Sequence, residues 1–389
     1  MDIFANDKQY IAGTYARTPV AFTRGEGALL FDGNGKPYID LGAGIAVNTF
    51  GHNDDGWVSA VTDQLRRIAH TSNLYFSSPQ VLLAKTLCER TGMRKVFFSN
   101  SGAEANECMI KTARKYAADR FGENTRSGII TLKGSFHGRT IATLAATGQD
   151  AMHHDFGPFP DGFFYTEPND IADLEATLQA HGGKCCAIMF EPVQGEGGVR
   201  QLAREYTAKL AALAEQYDLL LLADEVQTGN GRTGTLFAFE QYGLSPDIFS
   251  TAKGLAGGLP FGATLFGAKT ADVLQPGSHG STFGGNPVCA AGALHVLSRL
   301  DDDFLADVRK KSEHTRRRLT AMQGVLDVTG LGLMIGIETK KPAKEVIAEA
   351  LAHGVVVLSA KNRVRLLPPL NIPMDLLDQA LDVLETTFS

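Results

Sequence analysis

The sequence predicts an α/β protein with a larger domain built on a mostly parallel sheet and a smaller α+β unit. Three observations lead there. Short runs rich in Leu, Val, Ile and Phe recur at 95–98, 128–132, 187–190, 219–223 and 263–266 with helix-like stretches between them. That alternation marks a parallel sheet covered on both faces. From Asn286 onward the pattern changes to a long helical region followed by shorter strands and helices. Over 389 residues the chain is 44% hydrophobic and 21% charged, which supplies a sizeable core and excludes disorder, collagen and coiled coil as the main architecture. At roughly 150 residues per domain the length suits two or three domains.

Taken in order, residues 1–50 hold short strands and turns that pack with the C-terminal unit. In FDGNGKPYID the residues Asp32, Gly33, Asn34 and Gly35 supply a hairpin turn. Residues 51–285 form the larger domain. Within it FFSN leaves a strand and enters a helix over 103–116 after Ser101, and a second helix over 204–216 precedes the 219–223 strand. Polar loops at the carboxyl ends of such strands are where ligands of open α/β sheets lie. Residues 286–389 form the smaller unit: a helical region through Met322, strands at 325–330 and 333–338, a helix near 343–352, and strands at 355–359 and 363–367.

With 37 basic against 43 acidic side chains the formal charge is −6, so nothing attracts a nucleic acid to the whole surface. MDIFANDKQY lacks a basic run before an apolar stretch, and no segment approaches the ~20 apolar residues of a membrane span. A cytoplasmic protein that meets no membrane is expected. The five cysteines include no CxxC pair, and vicinal Cys185 and Cys186 suit a buried strand, so all five are expected as thiols. His153 and His154 are adjacent and face apart, and no metal site is expected. Trp57 and the PFPDGFF segment are assigned to packing, and His137 to orienting a loop.

Three features look chemical. Lys253, in STAKGLAGGLPFG, is flanked by small residues, so a planar cofactor has room to reach its amine and form a Schiff base; an ordinary loop lysine is simply solvated. The run LLLLADEVQTG ends in Asp224 and Glu225, where a buried strand meets its loop. A carboxylate there needs a cation such as a protonated pyridine nitrogen, or else it caps the next turn. SGAEANE opens a helix, so Ser101, Gly102 and the first free amides can cradle a phosphate, or Ser101 is a plain N-cap. It matches neither GxxxxGK[ST] nor GxGxxG, which disfavours nucleotides. Cradle, acidic strand end and loop lysine occur in the order needed to hold pyridoxal phosphate by three handles.

At this point the sequence resembles the class III (ω-) aminotransferases of PLP fold type I, and within them the acetylornithine aminotransferases. The resemblance runs from RGEGALLFDGNGKPYIDLGAGIAVNTFGH through SGAEANE, SFHGRT, EPVQGEGGV, DEVQTGNGRTG, AKGLAGGLP and GSHGSTFGGNP to RLLPPL. It implies a seven-stranded, mostly parallel sheet in the larger domain, and a smaller domain built from both termini. It implies pyridoxal 5'-phosphate as cofactor, with Lys253 as its covalent anchor and afterwards the proton shuttle. By the same resemblance Asp224 keeps the pyridine nitrogen protonated, Gln227 bonds the phenolic oxygen, and Val226 and Phe136 sandwich the ring. Gly102 and Ala103, beside Ser101, give amides to the phosphate, and Thr282 reaches the phosphate of a neighbouring subunit, so the active site needs a homodimer. Ser281 matches a substrate-contacting position.

The implied reaction is exchange between N2-acetylornithine and 2-oxoglutarate, giving N-acetylglutamate 5-semialdehyde and glutamate, as in arginine biosynthesis. Arg365 would take the α-carboxylate of glutamate, with Glu196 as its switchable partner, and Arg139 the α-carboxylate of the acylated ornithine. Relatives acting on succinylornithine, succinyldiaminopimelate, ornithine or 4-aminobutyrate share Lys253, Asp224, Glu196 and Arg365; Arg139 with Ser281 and Thr282 favours the acylated diamine acids over 4-aminobutyrate. An aminomutase of the same fold is opposed by the Glu196 and Arg365 pair, and a non-catalytic protein by Lys253. Ala103 departs from the threonine of many relatives, which removes a hydroxyl and keeps the backbone donor.

Overall fold

The computed structural model describes residues 2–388. A seven-stranded sheet runs in the order Lys95–Ser99, Gly262–Phe266, Ile248–Thr251, Leu220–Asp224, Cys185–Phe190, Gly128–Leu132, Phe163–Thr166. Gly262–Phe266 is antiparallel to both neighbours, and the other pairings are parallel. The central strands are buried along their whole length, Cys185 and Cys186 included, which is why they read as continuous apolar runs rather than alternating ones. The strand Phe163–Thr166 grows out of a segment assigned to packing: Pro160, Asp161 and Gly162 mask it, and it pairs on one side only.

The helix Gly102–Phe121 lies against this sheet through Ala105, Cys108, Met109, Ala113 and Ala117, an i, i+3/i+4 stripe. Its start is fixed by a reciprocal cap: the Glu104 amide donates to Ser101 Oγ at 3.2 Å, and the Asn100 amide donates to Glu104 Oε2 at 2.8 Å.

A four-stranded antiparallel sheet, Val325–Leu331, Met334–Thr339, Arg363–Leu366 and Leu358–Ala360, carries the smaller core with the helices Ala343–Ala352 and Met374–Phe388. The N-terminal strands Phe22–Glu26, Leu29–Asp32 and Pro37–Asp40 form a further sheet whose fourth strand is Val355–Val356. Asp32 Oδ1 takes the amides of Asn34 and Lys36 to close the hairpin turn.

Two expected elements are divided. The strand over 355–359 breaks at Val357, sending Val355–Val356 to the N-terminal sheet and Leu358–Ala360 to the C-terminal one. The helical region over 286–322 is two helices, Pro287–Arg299 and Asp302–Ala321. Asp301 accepts from the Phe304 amide at 2.8 Å and starts the second helix, with Asp302 and Asp303 in its first turn. Pro287–Arg299 buries Ala290, Ala293, Val296 and Leu297 in the core of the larger sheet. We propose the division at residues 50 and 285 with this helix as the piece anchoring the smaller unit to the larger core.

Candidate active site

Three adjacent parallel strands deliver three charged residues to one edge. Ala223 is level with Phe190, and Asp224 with Ser250, so Glu191, Asp224 and Lys253 emerge side by side at the carboxyl ends. They line a cavity of about 240 Å³ with Gly102, Ala103, Asn106, Phe136, His137, Gly138, Arg139, Glu196, Val226 and Gln227.

Asp224 is buried. Its Oδ2 accepts from Asn106 Nδ2 at 2.7 Å and lies 2.8 Å from His137 Nδ1, while its Oδ1 accepts from the Val226 amide at 3.0 Å. His137 is therefore engaged with the strand-end carboxylate rather than only with its own loop. Its Nε2 is buried with no partner among the described residues, as is Asn106 Oδ1. Glu225 turns away, accepting from Thr228 Oγ1 and the amides of Ala238 and Phe239; burial raises its carboxyl to about 7.

Lys253 stands at φ +43°, the left-handed region a branched or bulky residue adopts only under constraint. Burial lowers its amine, against the opposing charges of Asp224, Glu196 and Glu191. The amine is thereby moved toward the neutral form that a nucleophile and base requires.

At the other wall Arg365, buried on the strand Arg363–Leu366, donates from Nη1 to Glu196 Oε1 at 2.7 Å and to Gln227 Oε1 at 3.2 Å. Its Nε has no partner among the described residues. Glu196 is half-buried and itself lines the cavity. Arg139 is exposed at the rim, its guanidinium 5.4 Å from the Phe136 ring centroid.

The residues present fit pyridoxal phosphate. Glu104 and Ala105 spend their amides on Ser101, leaving those of Gly102 and Ala103 at the helix N-terminus for an anion. A Cβ on Gly102 would lie 2.6 Å from Val226 Cγ1, so glycine is what lets the cradle close on that side chain. The buried carboxylate, orphaned ring nitrogen and buried amine suit a planar polar ligand.

Ser281 and Thr282 stand apart from this cavity. Ser281 Oγ accepts from Asn100 Nδ2 at 3.1 Å and from the Gly284 amide at 3.0 Å, framing its own loop, and Thr282 is exposed. Glu191 escaped the sequence reading, although AIMFE ends an apolar strand in a carboxylate just as LLLLAD does. Among the described residues there is no cluster suited to a metal ion, and no helix is long and apolar enough to cross a membrane.

The sequence profile described as aminotransferase class-III matches residues 10–388. The chain is 47% identical over 385 residues to an acetylornithine aminotransferase of Haemophilus ducreyi, covering 98% of this chain and 97% of that one. It is similar in structure to N-acetylornithine aminotransferase from Stenotrophomonas maltophilia, with TM-score 0.85, 35% identity and coverage of 99% and 98%. An ornithine aminotransferase from Toxoplasma gondii with PLP at partial occupancy in its active site gives TM-score 0.93, 31% identity and coverage of 99% and 93%.

Proposed function

The chain belongs to the class III aminotransferases, which use pyridoxal phosphate, and on that premise we propose that it exchanges the distal amine of N2-acetylornithine with 2-oxoglutarate, giving N-acetylglutamate 5-semialdehyde and glutamate. One observation carries the two-substrate reading: the buried Arg365 is paired to a half-buried carboxylate in the cavity wall. Such a pair neutralises the arginine when the amine-bearing end of the substrate has no carboxylate. It opens when glutamate brings one, because a bidentate guanidinium–carboxylate contact replaces it. The acyl-diamine substrate is supported by the curated relatives named acetylornithine aminotransferase and by Arg139, an exposed cation at the cavity rim suited to a distant α-carboxylate.

When bound, the cofactor supplies a carbonyl carbon that exchanges amines and a ring that draws off an electron pair. Lys253 would anchor the cofactor and then, as a free amine, would take a proton onto Nζ from the amine-bearing carbon and pass it to the carbon that the cofactor's carbonyl supplies, so that the amine stays behind. Asp224, held by Asn106 and His137, keeps the ring nitrogen protonated. Phe136 and Val226 would face the ring, Gln227 would take its oxygen, and the amides of Gly102 and Ala103 after Ser101 would take the phosphate.

A homodimer completes the site. Asn73 Nδ2 donates to the carbonyls of Ser281 and Gly284, joining two loops into one surface. On it Leu74 is 86%, Phe76 99% and Phe283 59% exposed, an apolar strip that a second copy covers. That contact would bring Thr282 to the partner's phosphate and Ser281 beside its substrate. The five free thiols fit a cytoplasmic location.

The test is the visible absorbance of the bound cofactor during titration with N2-acetylornithine, followed by 2-oxoglutarate. Bleaching that the keto acid reverses is the expected result. Bleaching only by another amine replaces the substrate, and no bleaching by any amine overturns the transamination.

A further inference from the structure

Glu191 is the buried carboxyl group in the cavity wall to which transamination assigns no task. It is 6% exposed and follows directly on the strand Cys185–Phe190 beside Asp224. No arginine or lysine pairs with it: among the described residues the ion pairs of the cavity are Arg365 with Glu196 and His137 with Asp224. Its two oxygens instead go to two backbone amides on different loops. The Phe136 amide donates to Oε2 at 2.9 Å, and the Gly195 amide donates to Oε1 at 3.4 Å. Phe136 is the residue facing the cofactor ring, and Gly195 immediately precedes Glu196. A Cβ at Gly195 would lie 2.4 Å from Gln227 Oε1, so a side chain there would displace the Gln227 amide.

We propose that Glu191 is a positioning residue that clamps the Phe136 loop and the Gly195–Glu196 turn into one unit, so that the wall holding the ring and the carboxylate that switches on Arg365 keep a fixed separation. A buried carboxylate with only backbone donors is costly to keep, and burial together with the facing Asp224 raises its carboxyl well above the ordinary range, opposed by the two amides and by Lys253. A fold that needed only a filled space there would be served by a neutral residue of the same volume. The cost is consistent with a geometric task, because both oxygens of a carboxyl keep a lone pair for an amide in either protonation state, whereas a glutamine offers one acceptor and sets an NH2 against the other amide.

This inference rests on the transamination proposed above for its kinetic consequence, while its structural part is read without turnover. In apoprotein, Glu191→Gln is expected to weaken cofactor binding about tenfold and to change the circular dichroism of the bound cofactor's visible band. It should also raise KM for 2-oxoglutarate by a larger factor than it lowers kcat. Glu191→Asp keeps the carboxyl group and loses the reach, and should show the same changes. Folded variants with wild-type cofactor affinity, dichroism and KM, differing only in Tm, overturn the proposal. Amide hydrogen exchange on the wild-type protein decides the matter even if neither variant folds: Phe136 and Gly195 should be protected together, and rapid exchange at either overturns the clamp. Protection without any transamination would instead sink the functional reading and leave the clamp standing.

Discussion

The cavity edge and the 281–284 loop face the same chemistry with opposite construction. At the edge, Glu191, Asp224 and Lys253 leave neighbouring strands whose residues are buried throughout, and both oxygens of Asp224 are engaged within the chain. The loop lies on the surface, with Thr282 exposed between a framed Ser281 and the exposed Phe283. A sheet fixes its strand ends to within the tolerance of its hydrogen bonds, so groups that must meet a small ligand precisely in one chain belong there. An exposed loop acquires comparable definition only from a second surface packed against it. The first half of the site is therefore built within one chain, and the second is the half that the proposed dimer would define.

The largest expected effect falls on Lys253. Lys253→Ala removes the proposed anchor and base together, and turnover should fall by more than about 10⁴-fold while the remaining strand-end groups still bind the cofactor noncovalently. Turnover near the wild-type level would remove Lys253 from the chemistry. Next in size, Arg365→Ala should slow the half-reaction with glutamate about 100-fold, the worth of a charge-assisted carboxylate contact, and barely affect the one with N2-acetylornithine. Glu196→Ala should do the reverse, leaving Arg365 unpaired against a substrate end with no carboxylate. Equal losses in both half-reactions from either change would refute the switch.

Asp224 and Glu225 sharpen the comparison within the edge itself, since one side chain faces the cavity and the next enters the core. In the folded protein the Glu225 carboxyl sits at about 7 against an ordinary 4.5, so the fold favours its protonated form. Its contribution to stability is then full below pH 4.5, declines as pH rises to 7 and is lost above. The decline amounts to about 3 kcal/mol at most. Urea denaturation of the wild type and Glu225→Gln between pH 4.5 and 8 checks it; the same slope in both would show that Glu225 titrates normally.

Much of the strand-end half was legible because its signals are local. An apolar run ending in a carboxylate marks Asp224 without knowledge of any neighbour, and Ser101 marks the helix start. Glu191 carries the same local signature, yet its meaning lies in Phe190 standing level with Ala223, which is a matter of strand order. His137 was assigned to its loop for the same reason: its partner Asp224 is 87 residues away. The Arg365–Glu196 pair spans 169 residues, and only the resemblance to a family brought the two together. The divided strand at Val357 and the edge strand Phe163–Thr166 were missed where sheet membership, rather than local pattern, decides the structure.

The smallest expected effect falls on the loop. Thr282→Ala removes one hydroxyl from an exposed position, so it should leave folding and the apolar strip intact, and sedimentation should still find a dimer. If Thr282 completes the partner's phosphate cradle, the apoprotein should bind the cofactor about tenfold more weakly, the worth of one hydrogen bond to a charged group. Ser281→Ala should differ in kind, because its hydroxyl accepts from Asn100 and from the Gly284 amide and its loss loosens the whole loop. A charge placed in the strip, as in Phe76→Glu, should shift the dimer toward monomer and reproduce the Thr282→Ala affinity at concentrations where the dimer has dissociated. Cofactor affinity independent of protein concentration in Phe76→Glu, with the dimer lost, would mean that one chain holds the phosphate unaided, and the contrast between the two halves of the site would disappear.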